Sequence, residues 1–446
     1  MGYVASVTAA SVRRLRAVAV GLTAMGLLLS AGCEGSVSGS RASSAPTAAA
    51  TTSGGTTSGS PSSAGSGAAR SATSGSTSAH PSTSATPGVA ATTSTVSSTT
   101  LATCGQRLAR EMSAPQRAGQ LIMVGLQATG SSRALAAQVR SQRLGGVIFL
   151  GGWSGGAAST ATVARRLQSA TEGSLLVAVD QEGGQVQQLR GPGFDAIPSA
   201  RTQATLGAAG EERAVRTWSR QLTRAGVNVN LAPVADTVPT SLGAGNQPIG
   251  RYRRDFSPGS PQTNARYVAA FVRGTLAGGV APTVKHFPGL GRVTGNTDVT
   301  STGITDRRTA SGDPYLAPFR AGIEAGAPLV MVSSARYPLL DRDNQAMFSS
   351  KVVTDLLRGE LGFTGVAITD DVGAARAVSD VPVGARATRF VAAGGDIVLT
   401  ARPDQAPVML RAIAAKRAAS PVFADQVDRA AARVLDLKAS LGLVRC

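Results

Sequence analysis

The stretch VKHFPGLGRVTGNTD, residues 284–298, sets a lysine, a histidine, an asparagine and an aspartate among three glycines. Histidine is scarce: the 446-residue chain has two, and the other, His80, lies in a low-complexity tract. One histidine in the folded part excludes a multi-histidine metal centre. No GxSxG elbow offers a serine nucleophile, and the glycines of GLG do not open a phosphate-binding GxxxxGK[ST] loop. Carboxylates remain, in DQEGG (180–184), at Asp236 and at Asp370-Asp371. Two carboxyl groups facing each other across a pocket can cleave an acetal, one attacking the anomeric carbon and the other protonating the leaving oxygen. On the residues alone, His286 stays open as a base, a substrate clamp or a satisfied polar group at a strand end.

Those residues have to be brought together by the elements that carry them. From Ala102 onward short apolar runs alternate with amphipathic stretches. The runs lie at 120–126, 146–150, 175–179, 227–233, 280–284, 328–333, 366–369 and 396–399. Apolar runs without polar alternation suit strands buried on both faces of a parallel sheet. Eight strand–helix units predict a (β/α)8 TIM barrel as one catalytic domain over 101–446, with a doubly wound open sheet as the alternative. In a barrel the chemistry belongs at the C-terminal strand ends. Asp180, Asp236, Lys285-His286 and Asp370-Asp371 fall there, whereas Asp396 precedes its strand and reads as structural.

The set VDQEGG (179–184), APV (232–234), IGRYRRDF (249–256), KHFPGLG (285–291), ITDD (368–371) and AGGDIVL (393–399) resembles glycoside hydrolase family 3 in its single-barrel β-N-acetylglucosaminidase branch. The resemblance spans about 113–441. It implies a retaining exo-glycosidase without metal or organic cofactor, acting on β-GlcNAc-terminated glycans or muropeptides. It makes Asp370 the nucleophile and Asp371 a neighbour that orients the loop. It gives Asp180, Lys285 and His286 to the sugar, and one arginine of IGRYRRDF as well. Arg254 is the choice there, with Arg251 and Arg253 as alternatives. Gln188 stands in the register of a family arginine, which leaves that sugar contact open.

The pattern departs after KHFPG. The branch has a second histidine after the proline-glycine, then an Asp-Ser-His whose histidine is the acid/base. Here those positions hold Leu290, Asn296, Thr297 and Asp298. Three readings follow: Asp298 is the acid/base; the proton comes from Glu182, Asp306 or His286; or the site binds sugar without turnover. A carboxylate acid/base would repel phosphate in the second step, so water is the expected acceptor.

The ends point to export. Arg13, Arg14 and Arg16 precede an apolar run that reaches Gly32, too short for a comfortable membrane span. LLLSAGC resembles a bacterial lipoprotein signal, with residues 1–32 removed and Cys33 lipidated, although Ser30 stands where leucine is usual. An ordinary secretory signal is the alternative. Residues 33–100 are almost wholly Ser, Thr, Ala, Gly and Pro, which reads as a disordered tether of roughly 45 Å reach. The expected place is the outer face of the cell membrane. Export permits a disulfide between Cys104 and Cys446, which bracket the fold, with two free thiols as the alternative. The net charge is +18, yet no basic run alternates with aromatics, so nucleic acid is not an expected partner. A basic exported protein is drawn to anionic envelope polymers and lipid headgroups, with the arginine codons of a GC-rich genome as the alternative source of the charge.

Overall fold

Residues 102–446 are described by a computed structural model. Cys33, the signal at 1–32 and the tether at 33–100 lie outside the described residues. Eight parallel strands follow one another around a barrel: β1 (Ile122–Gln127), β2 (Gly146–Leu150), β3 (Leu176–Val179), β4 (Val229–Asn230), β5 (Ala281–Phe287), β6 (Leu329–Val332), β7 (Val366–Thr369) and β8 (Val398–Thr400). β1 pairs with both β2 and β8. The ring closes between β7 and β8, where Thr369 N donates to Ile397 O at 2.9 Å and Ile397 N to Ala367 O at 3.0 Å. A helix follows each strand; the one after β6, Lys351–Glu360, winds as a π-helix.

Side-chain alternation explains why every strand reads as uniformly apolar. Met123, Ile148, Ala178, Met331 and Ile368 point into the barrel, while their neighbours Ile122, Val147, Val177, Val330 and Ala367 pack outward. The helices cover the outward set, so both faces are dry. The N-terminal end of the barrel is sealed by Val434 and Leu437 of the last helix, Pro421–Ser440. That helix starts cleanly because Ser420 accepts from Phe423 N and Pro421 needs no N–H in the first turn. The first helix, Cys104–Glu111, packs against it, and Cys104 is disulfide-bonded to Cys446 with Cα atoms 5.4 Å apart.

One expectation is corrected. The run 227–233 gives only a two-residue strand, because Pro233 has no N–H to donate and asparagine side chains take over part of the pairing. Val177 N donates to Asn228 Oδ1 at 2.8 Å, and Gln181 N to Asn230 Oδ1 at 3.1 Å. The loops after β3 and β6 also fold into small antiparallel ribbons, Gln181–Gly183 with Val186–Gln187 and Arg336–Tyr337 with Asp341–Gln345. Asp396 is structural as expected: it accepts from Arg358 at 2.6 Å and lies 2.7 Å from Arg433.

Glu211, in the first turn and a half of the helix Gly207–Arg224, is fully buried, and neither carboxylate oxygen has a protein partner. Burial pushes its pKa up to about 9. A folded value above the unfolded one means stability that is complete at acid pH and lost as pH rises from about 4.5 to about 9, on the order of 3 kcal/mol by pH 7. Glu211→Gln is expected to match wild type in urea unfolding near pH 4.5 and to exceed it increasingly towards pH 9. A difference that does not vary with pH would contradict this origin.

Candidate active site

The C-terminal strand ends open on a cavity of about 290 Å³, near the lower end of the roughly 300–1,000 Å³ of ligand pockets and suited to a single sugar ring. Asp180, Arg254, Lys285, His286, Asp298 and Asp370 all line it, with Glu182 and Asp371. Arg251 and Arg253 are exposed on the surrounding loop. Arg254 turns inward because the short 3-10 turn Gly250–Tyr252 ends in a left-handed Arg253.

The floor is a chain of alternating charge. Lys285 Nζ lies 2.5 Å from Asp180 Oδ1 and 2.6 Å from Glu182 Oε1. Arg254 grips Glu182 with two parallel bonds, Nε to Oε2 at 2.8 Å and Nη2 to Oε1 at 2.7 Å. Burial alone would raise the Glu182 pKa, but Arg254 and Lys285 outweigh it and hold the carboxyl down at about 2. The same carboxylates keep Lys285 charged: burial would lower its pKa, and Asp180 and Glu182 raise it instead. Glu182 is therefore a fixed anion, which excludes it as the proton donor.

His286 is held from below by Asp236, a residue at the β4 end that the sequence offered without a role. Asp236 Oδ2 lies 2.7 Å from His286 Nδ1, and Oδ1 accepts from the backbone N–H of His286 at 3.3 Å and Leu290 at 2.6 Å. A carboxylate occupied in this way has only lone pairs to offer, so Nδ1 carries the hydrogen. On the other side Arg254 Nη2 is 3.4 Å from Nε2, and a guanidinium only donates. A donor facing Nε2 favours the tautomer whose hydrogen sits on Nδ1. Asp306, the other candidate donor, does not line the cavity; its oxygens accept from Arg308 N, Thr309 N and Thr309 Oγ1.

Two carboxylates in the cavity lack both a cation and a full set of N–H donors. Asp370 follows β7 and accepts one bond, from Asp371 N at 2.9 Å. Asp371 is spent on the turn, accepting from Gly373 N, Ala374 N and Ala401 N. Asp298 sits at the mouth with solvent on its outer side. Its loop is pinned by Asn296, whose Oδ1 accepts from Asp298 N at 3.1 Å, and by Arg376 N donating to Asp298 O at 3.0 Å. Asn296 thus steers Asp298 through its backbone and not through its carboxyl. Burial first, and the charge of Asp298 next, push Asp370 up to about 6. Asp298 is also raised: burial is the main cause, Arg254 and His286 oppose it, and Asp371 and Asp180 add to it.

The tautomer is directly observable. Nitrogen NMR of His286 is expected to show a protonated Nδ1 and a bare Nε2, and Asp236→Asn should weaken that preference. A wild-type ring protonated mainly on Nε2 would contradict the arrangement.

The Glycosyl hydrolase family 3 N terminal domain matches residues 113–437. A beta-hexosaminidase of Stenotrophomonas maltophilia is 38% identical over 255 residues, 55% of this chain and 73% of the relative. Another, of Xanthomonas oryzae pv. oryzae, is 31% identical over 318 residues, covering 70% and 92%. The crystal structure of a beta-N-acetylhexosaminidase from Beutenbergia cavernae superposes with a TM-score of 0.71 at 44% identity, covering 74% of this chain and 99% of that one. With that match over most of the described residues and a pocket at the C-terminal end of its barrel, the chain belongs to glycosyl hydrolase family 3 and is a glycoside hydrolase.

Proposed function

We propose that the protein is a retaining exo-β-N-acetylglucosaminidase that hydrolyses terminal GlcNAc from cell-wall, peptidoglycan-derived fragments through a glycosyl-enzyme intermediate on Asp370. The observation that carries this reading is the pair Asp370 and Asp298, two carboxyl groups of raised pKa in one sugar-sized cavity whose other acidic side chains are already engaged. The beta-hexosaminidase relatives supply the sugar class.

In the first step an Asp370 oxygen bonds to the anomeric carbon as the bond from that carbon to the aglycone oxygen breaks. Asp298 delivers its proton to the departing oxygen. In the second step the Asp298 carboxylate takes a proton from water, and the water oxygen displaces Asp370. Both residues return to their starting states and the configuration is retained. Asp180, Lys285, Arg254 and His286 fix the ring hydroxyls. Asp298 serves where an imidazole would need an anionic partner; its neighbour Asn296 is neutral, which avoids driving the acid's pKa too high. Asp180, Glu182, Asp298, Asp370 and Asp371 outnumber Arg254 and Lys285 in the cavity, so phosphate is repelled and water is the acceptor. We read Cys33 as the lipid anchor that holds the enzyme at the outer face of the cell membrane, on the strength of the sequence pattern alone.

The nucleophile must be ionised, so kcat/KM on 4-nitrophenyl N-acetyl-β-D-glucosaminide is expected to fall as pH drops through about 6. Asp370→Asn should abolish turnover. Asp298→Asn should slow release of the second product by about 10²–10⁴-fold, regain rate with azide, and shift the acidic limb to lower pH because the repelling charge is gone. Added phosphate should leave the product as free GlcNAc. Sugar binding without any wild-type turnover would sink the proposal, and an acidic limb unmoved by Asp298→Asn would contradict the pairing.

A further inference from the structure

A cavity larger than the catalytic-end one lies at the other end of the barrel. A cleft of about 880 Å³ lies between the first helix, the last helix and the turn Phe363–Gly365 that leads into β7. Five arginines line it, Arg110, Arg117, Arg358, Arg429 and Arg433, against two aspartates, Asp428 and Asp436.

Most of the negative charge there is already committed. Asp436 accepts from Gly105 N at 2.6 Å and Thr103 Oγ1 at 2.9 Å. Asp428 is shared by Arg117 and Arg417. Arg358 and Arg433 share the single carboxylate of Asp396 behind the wall, and their mutual repulsion is one reason the Arg358 pKa is lowered, after burial. Arg110 and Arg429 make no ion pair or side-chain hydrogen bond among the described residues. Arg117 Nε is buried and has no aligned hydrogen bond, although Asp428 Oδ1 is 3.0 Å away. Cation exceeds carboxylate on this concave wall, and Arg110 and Arg429 are exposed there, so the cleft presents unpaired positive charge to solvent. Phe363, Ala432 and Leu437 make part of the lining apolar, which suits carbon units spaced between anions.

We propose that this cleft is a second binding site, separate from the catalytic cavity, for a phosphodiester polyanion. A soluble polyol-phosphate chain and an anionic phospholipid headgroup share that chemistry, and guanidinium groups recognise it with charge-assisted, often bidentate bonds. Such a site holds the enzyme on an anionic envelope component while the opposite end of the barrel works on sugar.

The test uses Arg110→Glu/Arg429→Glu, because neither residue supports the fold through an ion pair; Arg110→Gln/Arg429→Gln is the milder companion. Unchanged melting temperature and unchanged turnover on the nitrophenyl substrate certify that the variants fold. Calorimetry with inorganic polyphosphate, and co-sedimentation with phosphatidylglycerol vesicles against phosphatidylcholine vesicles, read the binding. The expected result is salt-sensitive binding of wild type that is about tenfold or more weaker in the Glu pair, with the Gln pair between. Loss on polyphosphate assigns a soluble chain, and loss on phosphatidylglycerol alone assigns the membrane surface. No binding by wild type to either probe, or equal binding by the variants, overturns the proposal.

Discussion

Two largely buried cations have to stay charged at the bottom of the cavity. Lys285 is 2% exposed, and removing one member of a buried pair typically costs about 3–5 kcal/mol. The chain Asp180–Lys285–Glu182–Arg254 meets this constraint by giving each cation an anion in hydrogen-bond contact. It also ties three parts of the barrel together, since its members come from the loops after β3 and β4 and from β5 itself. His286 and Asp236 extend the same set through Arg254. A sugar placed on this floor meets side chains already fixed by one another, so little ordering remains to be done on binding. Asp370 and Asp298 are left outside the chain of charge, and burial raises the pKa of both.

The loop after β5, with Leu290 and Asp298 where the resembled pattern has histidines, is held in place by its own contacts. Leu290 gives its backbone N–H to Asp236 and buries its side chain. Asn296 and the backbone of Arg376 and Ala377 hold Asp298 and Thr297 against the loop that follows Asp370. Asp298 and Asp370 are thereby carried by loops bonded to each other.

The barrel was legible in the sequence because strands dry on both faces leave continuous apolar runs, and because the polar clusters fell at the ends of those runs. The cavity residues were legible through the family resemblance and a rule about strand ends. Less accessible were facts that depend on partners far away in the chain. Glu182 looked like a possible acid until Arg254, 72 residues on, was seen to clamp it. Asp236 had a suggestive position but no partner until the fold set it under His286. The choice among Arg251, Arg253 and Arg254 turned on one left-handed residue. Asp306 was a candidate only by proximity along the chain, and its own turn consumes both oxygens.

The central claim is that Asp370 forms a covalent bond to the sugar. The most direct measurement is mass spectrometry of the wild-type protein after brief exposure to a 5-fluoro N-acetylglucosaminyl fluoride, whose good leaving group forms the intermediate and whose fluorine slows its breakdown. One added sugar is expected on the intact protein, on the peptide containing Asp370. A sugar on a different carboxylate, or turnover of the reagent without any adduct, would contradict it.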